Sequence, residues 1–158
     1  DMIRGNSMHA EKELLRNFYS SWAQSISLYT GWADHHKISH SVLMTLYALY
    51  SRGSLTQKNI SGYYGLPKQT VHSSVRYLED RGYISLTAST KDRREKIISL
   101  TKEGSDYAGE IITPLLEAEE MVCQNVGYQR LREMIATNDL YNILFEKEMK
   151  RRFKDHDT

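Results

Sequence analysis

Residues 66–84 read "LPKQTVHSSVRYLEDRGYI", and the fold follows from how this stretch is divided. Pro67 suits a first helical turn, where a missing N–H costs nothing. Val71, Val75 and Leu78 then recur at the spacing of one helix face, and Gly82 ends the run. Facing the other way are Lys68, Gln69, His72, Ser73 and Arg76. Just upstream, "SLTQKNISGYYG" (residues 54–65) predicts a shorter helix that begins at Thr56, whose hydroxyl can cap a free amide, and stops near Gly65. Two short helices joined at "YGLPK" fit a helix-turn-helix, whose second helix must present hydrogen-bonding side chains to base edges in the major groove. Lys, Gln, Ser and Arg are the side chains suited to that task.

Behind this pair come "YISLTAS" (83–89) and "EKIISLT" (95–101), two β-prone runs separated by the charged tip "TKDRR". They read as a hairpin, and a hairpin directly behind a helix-turn-helix is a wing. The stretch 89–104 carries Lys91, Arg93, Arg94, Lys96 and Lys102, although the whole chain has a formal net charge of only +1. A charged tip taken alone reads as a solvated turn. In this position it reads as a thin cationic arm able to reach phosphates or enter a minor groove.

The order of these parts resembles the MarR family of winged-helix transcription regulators. The resemblance rests on "SLTQKNISGYYGLPKQTVHSSVRYLEDRGYI" followed by "KDRREKIISLTKEG", and it is strong over roughly residues 38–104. The family's wing has an Asp-x-Arg element, then a strand, then a Leu-Thr-x-x-Gly helix start. Here these are Asp92-Arg93-Arg94 and Leu100-Thr101-Lys102-Glu103-Gly104. The resemblance implies that Lys68, Gln69, Thr70, His72, Ser73 and Arg76 enter the major groove. It further implies that Arg94 enters the minor groove and that Asp92 steadies the wing by pairing with a nearby Arg, and Lys91 and Arg93 join them as expected DNA-binding residues. "YYGLP" departs from the pattern, since many relatives carry a small polar residue before the recognition helix.

The flanks are helical. In "AEKELLRNFYSSWAQSISLYTGWADHH" (10–36) the residues Leu14, Leu15, Phe18, Tyr19, Trp22, Ile26 and Tyr29 are spaced by threes and fours. "HSVLMTLYALYSRG" (40–53) repeats the pattern and ends at Gly53. After the wing, Tyr107, Ile111, Leu115 and Val122 share one face, with Pro114 predicting a kink. The last helix carries a stripe of Leu131, Met134, Ile135, Tyr141, Leu144, Phe145 and Met149, which reads as a packing face. A winged helix alone needs no such extension. A two-fold dimer would bury it and set two recognition helices about one DNA turn apart, and the resemblance implies that same dimer. The expected fold is mainly α with a small β-hairpin wing: an N-terminal helix over 1–36, a winged helix-turn-helix over 38–101 and dimerisation helices over 102–158.

Composition narrows the function. With 26% charged and 40% hydrophobic residues among 158, the chain can bury a core and is not a disordered polymer. No apolar run approaches the roughly 18 residues of a membrane span, and "DMIRGNSMHAEKELL" lacks the apolar core of a signal peptide, so the cytoplasm is the expected compartment. A single cysteine, Cys123, forms no internal disulfide and reads as a small buried hydrophobe. His35, His36 and His40 lie close in sequence without further ligands, so they read as surface or capping residues, with no metal site and no cofactor. The basic run "KEMKRRFK" reads as a solvated helix end. No nucleophile elbow, zinc-protease or phosphate-loop pattern occurs, and nothing argues for catalysis.

Trp22, Tyr29, Trp32, His36, His40 and Tyr47 bring aromatic faces and hydrogen-bonding tips toward the junction of the first two helices. They suit either a crevice for a planar, weakly acidic ligand or the seam joining two lobes. The resemblance suggests salicylate-like phenolic acids as probes. The expected function is a homodimeric regulator that binds a pseudo-palindromic operator in double-stranded DNA, represses, and is released by a small aromatic effector. The alternatives are a winged-helix protein-interaction module and a metal- or redox-switched regulator. Whether Lys68, Arg76, Arg93 and Arg94 share a face discriminates the first, and metal content and titration of the Cys123 thiol discriminate the second.

Overall fold

The computed structural model describes residues 2–89 and 95–156, with side chains for those of residues 9–153 in these ranges. The chain divides into two compact units, Asp1–Ile112 and Thr113–Thr158. The first holds α1 (Met2–His35), α2 (His40–Arg52), β1 (Leu55–Thr56), α3 (Gln57–Tyr64), α4 (Lys68–Glu79), β2 (Ile84–Ala88), β3 (Lys96–Leu100) and the start of α5 (Lys102–Val126). The second holds the rest of α5 and α6 (Tyr128–His156). Among the described residues no helix is long and apolar enough to cross a membrane.

Local chemistry sets each boundary in the first unit. The turn after α1 closes with the Ile38 N–H donating to the Ala33 carbonyl and the Lys37 N–H to the Asp34 carbonyl, each at 3.1 Å. This double closure needs a left-handed residue between them, and Lys37 takes that role at φ 60°. Ser39 then caps α2 by accepting from the Val42 N–H at 3.2 Å. Thr56 and Asn59 form a reciprocal capping box at the head of α3, as the expected Thr56 cap requires. Pro67 is displaced one residue from its expected place: it is the residue before α4, and it supplies no side-chain cap.

The sheet has three antiparallel strands in the order β1-β3-β2. The expected hairpin is β2 and β3, with Ile84 opposite Leu100 and Leu86 opposite Ile98. The third strand, β1, was not expected. It is two residues long and pairs Leu55 with Ile98 on the other side of β3. This ties the helix-turn-helix to the base of the wing. Beneath the sheet lies a continuous apolar core that includes Leu43, Leu46, Ile60, Val71, Leu78, Ile98 and Ile112, none of which exceeds 1% exposure. Burying such side chains contributes about 1.5–3 kcal/mol each.

The start of α5 explains the Leu-Thr-x-x-Gly spacing. The Thr101 N–H donates to the Tyr83 carbonyl at 3.0 Å. Its hydroxyl donates to the Gly82 carbonyl at 2.7 Å and accepts from the Gly104 N–H at 3.0 Å. A Cβ at position 104 would stand 1.7 Å from the Tyr83 carbonyl oxygen, so only glycine fits there.

In the second unit, Gly127 turns the chain between α5 and α6 at φ 98°. Helix α5 runs through Pro114 as one element. Leu115 is buried as expected, but Val122 is 57% exposed. Cys123 is half-exposed rather than buried, because the apolar residues beside it, Met121 and Val122, face outward as well. Helix α6 exposes Met134, Ile135, Leu144 and Phe145 by at least half of their surfaces.

Candidate nucleic-acid interface

Helix α4 has two faces of opposite chemistry. Val71, Ser74, Val75 and Leu78 are buried against the core, at 2% exposure or less. That places Lys68, Gln69, His72, Ser73 and Arg76 on the outer face, all exposed, with Thr70 half-buried at its edge. The apolar stripe at 71, 75 and 78 therefore fixes which side chains point outward. Ser73 turns its hydroxyl back to the Gln69 carbonyl at 3.0 Å, which leaves Gln69 and Arg76 as the longer hydrogen-bonding groups on this face.

Beside that face runs a groove of about 690 Å³ between α3, α4 and the strands of the wing. His72 and Arg76 form its α4 wall. Lys58 stands in the first turn of α3 and Lys96 at the start of β3. These two lysines complete a cationic rim around the outer face, and the sequence reading did not single out Lys58. A signal was present: a residue two places after a helix cap lies in the first turn, and an exposed lysine there stands beside free backbone amides. The groove is not uniformly basic. Glu79 and Asp80 at the end of α4, and Glu95 before β3, line its other part. Cations and carboxylates thus share its lining, with Arg76 in the last turn of α4 beside Glu79 and Asp80, and Lys96 next to Glu95.

Lys91, Asp92, Arg93 and Arg94 lie outside the described residues. The described part of the wing closes with the Ser89 N–H donating to the Glu95 carbonyl at 2.9 Å, the last backbone bond before the tip.

Of the six aromatic and histidine candidates, two are brought together. Trp32 and His36 face each other with ring centres 5.3 Å apart, and the Trp32 indole N–H donates to the Ile111 carbonyl at 3.1 Å. Trp22 stands against Tyr19 instead, at 5.7 Å, and is 52% exposed. Tyr47 meets Tyr64 edge-on at 6.1 Å, while Tyr29 and His40 are half-buried. Burial holds the His36 imidazole below the ordinary histidine range, and like-charge repulsion from His35 adds to this. Burial alone does the same to His40. Among the described residues, no group of three His, Cys, Asp or Glu side chains is arranged to hold a metal ion.

Comparison with known proteins places this geometry. A family model described as "MarR family" matches residues 36–95. The HTH-type transcriptional regulator YwoH of Bacillus subtilis, itself uncharacterized, is 36% identical over 75 residues, 48% of this chain and 54% of YwoH. The chain thus spans about half the length of that relative. The HTH-type transcriptional regulator SarZ of Staphylococcus aureus is 25% identical over 136 residues, covering 86% of this chain and 89% of SarZ. Among solved structures, NMB1585, a MarR family regulator from Neisseria meningitidis, superposes with a TM-score of 0.80 at 27% identity, over 88% of this chain and 98% of that one. The matched segment contains the capping box of Thr56, the helix that presents Lys68 to Arg76, and the first strand of the wing, and over these residues the chain is similar to the MarR family.

Proposed function

We propose that this chain is a homodimeric, sequence-specific regulator of transcription that binds double-stranded DNA and represses by occupying a pseudo-palindromic operator. One observation carries the reading: the outer face of α4 presents Lys68, Gln69, His72 and Arg76 together, beside Lys58 and Lys96. Gln and Arg can make paired hydrogen bonds to adenine and guanine edges, and lysines at the rim can meet phosphates. The naming of YwoH and SarZ as HTH-type transcriptional regulators supports it.

The dimer rests on the apolar faces of α1 and α6. Leu14, Tyr19 and Trp22 are 69%, 64% and 52% exposed in the first unit, and Ile135, Ile143 and Leu144 are 58%, 64% and 55% exposed in the second. Faces of this kind mark association surfaces. The Trp32–His36 pair is the place where a planar acidic effector would stack, and release from DNA follows if the effector prefers a form with displaced recognition helices.

Fluorescence anisotropy over a series of salt concentrations tests the DNA reading. Arg76→Ala is expected to relax selectivity at one operator position. Arg94→Ala is expected to weaken binding to all duplexes and lower the salt slope by about one. A protein whose affinity for duplex DNA is unmeasurable at low salt contradicts the proposal.

A further inference from the structure

The inner face of the recognition helix contains one polar side chain, and it stands in a line of hydroxyls. Ser74, on α4, is 2% exposed and lies between the buried Val71, Val75 and Leu78. Its Oγ donates to Ser41 Oγ on α2 at 2.9 Å and is also 3.1 Å from the Thr70 carbonyl. Ser41 Oγ is in turn 3.1 Å from Ser39 Oγ, with either hydroxyl able to donate. Ser39 is the residue that caps α2. The line therefore runs from the capped head of α2 to the middle of α4, beside the aliphatic Val71, Val75 and Leu78 and one turn from the buried Thr45, whose hydroxyl donates to the Ser41 carbonyl at 2.8 Å.

Placing a hydroxyl in such a seam costs stability unless it is hydrogen-bonded, and alanine would fill nearly the same volume. What the hydroxyl adds is direction. Aliphatic packing of Val71, Val75 and Leu78 resists separation but tolerates small sliding and rotation. A hydrogen bond has a narrow range of length and angle. At the head of α4 Pro67 supplies no side-chain cap, and the Ser61 hydroxyl holds the preceding Leu66 carbonyl at 2.6 Å, so the Ser41–Ser74 bond is the side-chain tie to the middle of the helix. A shift of α4 by about 1 Å would carry Gln69 and Arg76 out of hydrogen-bond range of a base edge. A long lysine reaching a phosphate would follow such a shift without loss.

We infer that Ser74 is a specificity-determining positioning residue: with Ser41 it pins α4 against α2, so that Gln69 and Arg76 meet base edges in register. This inference rests on the DNA-binding reading above. It separates two quantities that a merely structural role would move together. Selectivity should depend on the Ser41–Ser74 bond, whereas non-specific affinity and its salt dependence should not.

The test uses the full-length protein, its Ser74→Ala and Ser41→Ala variants and the double variant. Affinity is measured for the best duplex from a randomised selection and for a scrambled duplex. Each single variant should lower the ratio of the two affinities about tenfold, the scale of one lost base contact. The double variant should fall no further, because both changes break the same bond. Non-specific affinity and its salt slope should stay within twofold of the parent. A ratio unchanged in Ser74→Ala, or losses in the two single variants that multiply in the double, overturns the inference. A second arm needs no DNA: nitroxides at Ser51 and His72, both exposed on α2 and α4, in a Cys123→Ser background. The spacing between them should broaden when Ser74 is Ala. A distribution as narrow as the parent's also overturns the pin, whereas a parent that selects no duplex at all, with the broadening present, counts against the DNA reading and leaves the pin standing.

Discussion

The α2–α4 core and helix α6 use apolar residues in opposite ways. In α2, Val42, Leu43, Met44, Leu46, Ala48 and Leu49 are all buried, and they close against α4 and the sheet in a core that one chain completes. In α6, Met134, Ile135, Leu140, Ile143, Leu144 and Phe145 each keep half or more of their surface exposed. Both helices have the spacing of an amphipathic element. The difference is burial: the apolar residues of α2 are covered within a single chain, whereas those of α6 stay open in one copy, as an association surface would. Under the proposed function, this division would let one set of residues meet the bases while another sets the spacing of two copies.

The sharpest way to separate the regions is to weaken each in turn. Leu43→Ala, at a fully buried position, is expected to cost about 2–5 kcal/mol. Thermal unfolding should show the same loss at every protein concentration. Leu144→Glu should behave differently. It sits at 55% exposure, so the fold should survive with its circular dichroism unchanged, while the dimer dissociation constant rises at least thirtyfold, about 2 kcal/mol. Sedimentation equilibrium reads this directly, and an unshifted constant would remove α6 from the interface.

Smaller changes probe the joints. Gly104→Ala drives a methyl into the Tyr83 carbonyl and should cost about 1–3 kcal/mol, with the greatest loss of amide protection at Thr101 and Ser105, whose N–H groups bond at this junction. Lys37→Gly should act in the opposite sense. A left-handed lysine costs about 1–2 kcal/mol, part of which glycine returns as unfolded-state entropy, so a net gain of about 0.5–1 kcal/mol is expected. Denaturant titration measures it, and a loss would mean that the Lys37 side chain contributes more than its backbone costs.

Much of the winged helix was legible because its signals are local. Thr56 stands at a capping position, Gly53 and Gly82 take positive φ, and the spacing of Val71, Val75 and Leu78 alone separates the core side of α4 from its outer face. Strand β1 was not legible. Two residues cannot display alternation, and Leu55–Thr56 becomes a strand only by pairing with β3, more than forty residues onward. The fate of the α6 stripe was hidden for a different reason: periodicity reveals a face but not whether its partner lies in the same chain. Cys123 followed the same logic, being read as buried from neighbours that turned out to face outward. At the candidate interface, the exposed residues of α4 could be named in advance, but the approach of Lys58 to the same groove depends on how α3 crosses α4, a tertiary fact.

As proposed, two copies of this winged helix read one symmetric site. Selection from a library of randomised duplexes with the purified protein tests it most directly. Two inverted half-sites should emerge with centres about 10–10.5 base pairs apart, or a multiple of that spacing, bound by two chains. Enrichment of single, unpaired half-sites, or no enrichment over the starting library, would contradict it.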